Sequence, residues 1–202
     1  PAYSGRMKSA NQDIKDAILE AALPNVPFDG WTMGCLENAA MSAGYSKAMV
    51  ISVFPAGIKD ALIHFSDWAD RQTLARLRKE KPAPVKVRDK IARGVRLRLD
   101  VLAPHKEAER LAIAFWMRPL RKYEGARLVW KTADVLWDWA GDTATDYNRY
   151  TKRALLCGVL TSTVLFWLTD ASRDHADTDG FLSRRIDNVL NIGKIVGRLK
   201  TA

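Results

Sequence analysis

Apolar residues recur along this chain at spacings of three and four, the period of an amphipathic helix, and no stretch alternates as a half-buried strand would. A first helix is expected over 11–23, with Ile14, Ile18 and Ala21 along one face and Pro24 as its stop. The link PNVPFDGW leads to a second helix over 33–43, for which Thr32 is the expected N-cap and Gly44 the left-handed stop. Ser46 is the expected cap of a short helix over 47–53, which ends at Phe54-Pro55. Gly57 opens a long helix to residue 79, carrying Ile58, Ala61, Leu62, Phe65, Trp68 and Leu74 on its apolar face. KEKPAP (79–84) breaks the pattern and is the expected domain boundary. The expected domains are thus a head over 11–80 and a larger helical domain over 84–200. In the latter, helices are expected over 85–102, 106–117, 123–140, 146–168 and 178–199, with Pro104, Pro119 and Gly141 as punctuation and Thr143 or Thr145 as the cap of the fourth.

Composition narrows the picture only slightly. Hydrophobic residues make up 48% of the 202, and seven tryptophans favour a packed all-α fold over a disordered chain. The net charge of +9 suits an anionic partner, nucleic acid or membrane, and equally suits simple solubility. Cys35 and Cys157 have no framework spacing and read as buried thiols of a reducing compartment. Residues 1–10 lack an apolar signal-type run, so a cytoplasmic location is expected, with peripheral attachment to the inner membrane as its extension. The most apolar run, ALLCGVLTSTVLFWL (154–168), falls short of the ~20 residues of a membrane span and reads as a core helix.

No catalytic constellation emerges. His64, His105 and His175 are scattered, and there is no helical Glu-x-x-His pair, nucleophile elbow or phosphate-binding glycine loop. A binding protein without catalytic or metal sites is therefore expected.

Short helices, a tight turn and a long helix outline a helix-turn-helix head. GWTMGCLENAAMSAGYSKAMVISVFPAGIKDAL (30–62) resembles the head of the TetR family, with Thr32, Leu36, Ala40, Ala43, Gly44, Ser46, Phe54 and Leu62 at its structural positions. A DNA-reading third helix presents polar side chains to the groove. Here that helix reads Ser46, Lys47, Ala48, Met49, Val50, Ile51, Ser52, Val53, with Ile51 where the family usually has a phosphate-contacting tyrosine. Its apolar character argues against DNA binding and for packing or protein contact.

A closer resemblance covers residues 22–194. ALPNVPFDGWT (22–32), VRLRLDVLAPHKEAERLA (95–112) and above all GDTATDYNRYTKR (141–153) look like the Coq-nine family of ubiquinone biosynthesis accessory proteins. The resemblance implies a TetR-like, homodimeric, lipid-binding protein that is not an enzyme. It implies a di-iron demethoxyubiquinone hydroxylase as partner, and a bound isoprenoid quinone or phospholipid rather than a cofactor. Matching positions place the partner patch at Leu136, Trp137, Asp146, Arg149 and Tyr150; the family commonly has tryptophan where Arg149 stands. Val95, Leu99, Leu102, Phe115, Trp116, Leu128, Leu136, Leu156, Val159 and Leu160 can line a lipid pocket or fill an ordinary core, since both use the same residue types. A TetR-like regulator with a lipophilic effector is the alternative.

Two further features are open. Arg98 falls on the apolar face of its helix with Val87, Ile91, Val95 and Leu102, so it is expected to meet Asp134, Asp142 or a polar lipid head, or else to reach out to water. The last helix carries Phe181, Leu182, Ile186, Val189, Leu190, Ile192, Ile195, Val196 and Leu199 opposite Arg184, Lys194 and Arg198. That arc suits a two-fold bundle with 146–168, the preferred reading, or an anionic membrane surface.

Overall fold

In a computed structural model, residues 2–81, 84–143 and 147–199 are described. Every regular element among them is helical. The helices are α1 (Ala2–Ala22), α2 (Val26–Asp29), α3 (Met33–Ser42), α4 (Lys47–Val53), α5 (Ile58–Lys79), α6 (Val87–Leu102), α7 (Lys106–Trp116), α8 (Lys122–Ala140), α9 (Tyr147–Thr169) and α10 (Ala176–Leu199). Tight 3-10 turns at Ala103–His105, Pro119–Arg121 and Arg173–His175 join α6 to α7, α7 to α8 and α9 to α10 and supply the corners before α7, α8 and α10.

The chain forms two compact units. One joins the described residues up to Arg71 with Leu102–Gly125; the other joins Gln72–Val101 with the described residues from Ala126 onward. The division thus falls inside α5 and again near the end of α6, away from the 79–84 break.

In the first unit α1 packs on α3 and α4 around Ile18, Leu19, Leu36, Phe54, Leu62 and Phe65, all buried. Polar side chains complete the packing. The Trp68 indole N–H donates to Glu20 at 3.0 Å, and the Trp31 N–H donates to the Ala108 carbonyl at 3.0 Å. Asp16 receives both Arg71 amino groups at 2.7 Å and lies 2.6 Å from His64 Nε2. Burial is the largest single influence on Asp16 and would raise its pKa, but the hydrogen bonds and charges of Arg71 and His64 together hold the carboxyl below its ordinary value. Burial pushes His64 down despite Asp16.

The expected head is present with two local differences. Thr32 caps α3 by accepting from the Cys35 N–H at 3.2 Å, and Gly44 adopts φ +84 at the turn. Ser46 makes no side-chain capping bond, contrary to expectation. The proline-containing link forms the extra helix α2, whose early Pro27 suits a first helical turn, where no backbone donor is needed.

The core of the second unit gathers Leu77, Ile91, Val95, Leu97, Leu136, Leu156, Val159, Leu160, Leu182 and Ile186. A β-carbon on Gly94 would lie 2.9 Å from a Leu136 methyl, so the glycine permits close approach of α6 and α8. Helix α9 is longer than the apolar run suggested. Its Arg149–Thr169 segment, of mean hydropathy 1.2, is long and apolar enough to cross a membrane by length and composition, which corrects the expectation that it is too short. It nevertheless puts Leu156, Val159, Leu160, Thr163 and Trp167 into the core. Cys157 is half-buried rather than buried. Side chains from Leu190 onward, with five of the nine residues of the expected apolar arc of α10, lie outside the described residues.

Candidate functional site

The end of α8 and the start of α9 are tied together by one arginine. Asp134 and Asp138 lie one turn apart on α8, and Asp142 follows just past its end, where Gly141 turns the chain at φ +89. Arg153, on the facing side of α9 and 1% exposed, donates Nε to Asp134, Nη2 to Asp138 at 3.1 Å and Nη1 to Asp142 at 3.0 Å. Nη1 also reaches the Arg149 carbonyl at 3.3 Å. Burial disfavours the guanidinium charge, and the hydrogen bonds to Asp134 and Asp142 more than restore it, leaving the pKa raised. Lys152 adds a 2.7 Å bond to Asp142, and Arg149 a 3.0 Å bond to Asp134. Three cations thus meet three carboxylates, and the corner is locally neutral.

Arg98 is buried, as one of its alternatives required, but Asp134 and Asp142 are engaged by Arg153. The sequence carries a signal for Arg153. Aspartates at 134, 138 and 142 repeat at a helical spacing of four, and such a column calls for a cation from a neighbouring element.

The expected partner-patch residues separate into surface and core. Tyr150 is 61% exposed, its ring 6.4 Å from that of Trp130. Trp137 is half-buried; its N–H donates to the Lys152 carbonyl at 3.1 Å, and the Lys152 ammonium lies 5.5 Å from its ring. Arg149 is half-exposed and held by Asp134. Leu136 is 1% exposed against the second-unit core, so it supports the corner from beneath and offers no surface. Asp146 lies outside the described residues, as does the alternative cap Thr145.

The ten residues named for a lipid pocket are also divided. Val95, Leu136, Leu156, Val159 and Leu160 share the second-unit core, where Leu99 is buried and Leu128 half-buried. Leu102, Phe115 and Trp116 belong to the first unit, with Phe115 and Trp116 in edge-on contact at 4.9 Å. A cavity of about 250 Å³ opens in the second unit beside α6 and α10, lined by Arg88, Ala92, Arg93, Arg96, Asp179, Leu182, Ser183 and Ile186. None of the ten is on that lining. Its arginines are engaged: Arg88 with Asp187 at 2.6 Å, Arg93 with Glu80, and Arg96 with Asp100 at 3.0 Å and with Asp179.

On the head, α4 exposes Lys47, Ala48, Ile51 and Ser52, while Val50 and Val53 are buried. Ile51 is 63% exposed, and Lys47 lies 3.8 Å from Glu37. Among the described residues no group of three or more His, Cys, Asp or Glu could hold a metal.

The family model described as COQ9 matches residues 123–193, the stretch that contains the whole Arg153 network. "Ubiquinone biosynthesis protein COQ9, mitochondrial" of Bos taurus is 32% identical over 199 residues, covering 95% of this chain and 62% of that protein. The proteins of the same name from Rattus norvegicus and Homo sapiens are 31% and 30% identical, each over 95% of this chain, with 64% and 62% of their own lengths covered. The chain therefore spans a little over three fifths of these relatives. The crystal structure of the TetR transcriptional regulator from Nitrosomonas europaea ATCC 19718 superposes with a TM-score of 0.69 at 18% identity, covering 88% of this chain and 98% of that one. The fold is TetR-like.

Proposed function

We propose that this chain, which is similar to the COQ9 proteins, is a non-enzymatic accessory protein of ubiquinone biosynthesis. In this reading it takes up an isoprenoid quinone intermediate and presents it to the di-iron hydroxylase that acts on demethoxyubiquinone. The observation that carries the reading is the α8–α9 corner. Within the family-matching segment, a buried arginine fixes two helix ends so that Tyr150 stands exposed beside Trp130. A rigid aromatic on a charge-balanced surface is the kind of anchor that dominates protein interfaces. Homodimerisation through α9 and α10 belongs to the same proposal; α9 leaves Gly158 and Leu165 on its exposed side, small and apolar groups suited to helix packing.

Two measurements test it. Mass spectrometry of lipids extracted from the purified protein should find a quinone or isoprenoid, and an interior that never retains one would end the carrier reading. Tyr150→Ala should weaken capture of the hydroxylase about tenfold or more with folding intact, as loss of an interface aromatic does. Unchanged capture would remove the patch.

A TetR-like regulator with a lipophilic effector is the second reading, favoured by the neighbouring regulator fold and the helix-turn-helix layout. Against it stands α4, whose exposed Ala48 and Ile51 would leave groove groups unpaired. A gel-shift titration separates the two, because phosphate contacts give a steep salt dependence.

A further inference from the structure

The corner between α7 and α8 combines apolar exposure with positive charge. Met117 is 61% exposed, Leu120 99% and Tyr123 75%, all within seven residues of one another. Arg118 and Lys122 flank Leu120 and are exposed as well. Glu124, the one acid between Phe115 and Gly125, is paired with Lys59, so the surface of the corner is left cationic.

The corner is also firmly built. Pro119 sets its 3-10 turn, and the Arg121 N–H closes it on the Arg118 carbonyl at 2.9 Å. The Arg121 guanidinium lies 3.8 Å from the centre of the Phe115 ring, a cation–π contact that anchors the turn to α7. Gly125 lets α8 start close to α7, since a β-carbon there would lie 2.9 Å from Trp116 Cβ. Leu120 is held outward by this frame and covers no part of its own unit.

We propose that the 117–123 corner is a membrane-contact point that dips into the surface of an anionic bilayer. Leu120 would enter the acyl boundary, Met117 and Tyr123 would sit at headgroup level, and Arg118 and Lys122 would meet lipid phosphates. A projecting apolar tip ringed by cations matches an anionic lipid surface, where apolar burial and charge attraction act together. Tyrosine suits the level assigned to it, with an apolar ring and a polar end. This contact does not rest on the quinone reading, and it is separate from the apolar arc of α10.

The test is co-sedimentation of the full chain with phosphatidylcholine vesicles, with and without phosphatidylglycerol. The chain should bind the anionic vesicles and lose them as salt rises. Leu120→Ser should weaken binding about tenfold, from the lost apolar transfer. Removing both flanking charges, Arg118→Gln with Lys122→Gln, should weaken it by a factor of roughly 20 or more, since each cation near such a surface contributes about fivefold. Phe28→Ser, at an 88% exposed apolar position elsewhere in the same unit, should leave binding unchanged. The proposal is overturned if the chain ignores anionic vesicles, if Leu120→Ser binds as well as the parent, or if Phe28→Ser is equally damaging. It is also overturned if Leu120→Ser changes only the sedimentation of the lipid-free protein, which would make the corner a contact between copies of the chain.

Discussion

Replacing Arg153 with methionine keeps the aliphatic bulk and removes the guanidinium. Four hydrogen bonds go with it, three to carboxylates and one to the Arg149 carbonyl. The three aspartates then fare differently. Asp138, with a 60% exposed side chain, can rehydrate. Asp134 keeps Arg149 at 3.0 Å. Asp142, with a side chain only 5% exposed, keeps Lys152 but loses the Arg153 guanidinium in a place water reaches poorly. Breaking a buried ion pair from one side costs roughly 3–5 kcal/mol, and the surviving partners put this case at the lower end, about 3 kcal/mol. For a protein of this size such a loss lowers Tm by roughly 6–12 °C.

Urea titration followed by tryptophan fluorescence and by circular dichroism would measure it, with the loss expected in the transition that reports the second unit. Arg153→Lys should fall between the two, because a single ammonium cannot fork to three carboxylates. Asp138→Asn should cost less than about 1 kcal/mol, as exposed pairs do. If Arg153→Met were within about 0.5 kcal/mol of the parent, the range of an ordinary surface change, the corner would not be held by this network.

Two further outcomes follow from other contacts. Asp170 accepts from the Ser172 N–H at 2.7 Å and from the Thr178 N–H and hydroxyl at 2.9 and 2.5 Å, anchoring the first turn of α10. The bonds from Ser172 and Thr178 hold its carboxyl far below the usual range. Its contribution is therefore complete above the unfolded pKa and lost as pH falls through the folded one. Asp170→Asn should lower Tm at pH 7, and the gap to the parent should narrow in acid; a gap that stays constant down to the acid transition would contradict the assignment. Gly125→Ala gains about 1 kcal/mol of helix propensity but presses on Trp116 Cβ, an atom fixed to its backbone, so overpacking of roughly 1–3 kcal/mol should win and chemical denaturation should show a net loss.

The helices were legible because their periodicity is local. Thr32 and Gly44 could be assigned from residue type, since an N-cap and a left-handed stop draw on short-range geometry. Helix α2 escaped because four residues are too few to show a period. The unit division at Arg71 escaped for another reason: α5 gives Phe65 to one core and Leu77 to the other, and a helical pattern does not say which neighbour each turn will meet. Arg98 was placed correctly on an inward face, whereas the engagement of Asp134 and Asp142 by Arg153 was not legible, because pairing between helices depends on their rotation and offset. Leu136 could be recognised as apolar from sequence, but whether it faces a partner or a core depended on α6 approaching at Gly94.

Arg153 also determines what the α8–α9 corner can offer another protein. Asp134 is shared by Arg149 and Arg153, and Asp142 by Lys152 and Arg153, so the charges of the corner are largely spent on one another. A partner docking there need not strip water from a lone buried ion, the costliest step in covering a charged surface. What stays unspent is the face of Tyr150, set at 33° to Trp130. An aromatic held by a stiff frame loses little conformational freedom on contact, so its area converts efficiently into affinity. The half-exposed pairs around it would shape encounter and orientation more than strength. The arginine at position 149 then acts inward as a brace on Asp134 and leaves the neighbouring Tyr150 as the exposed aromatic of the corner.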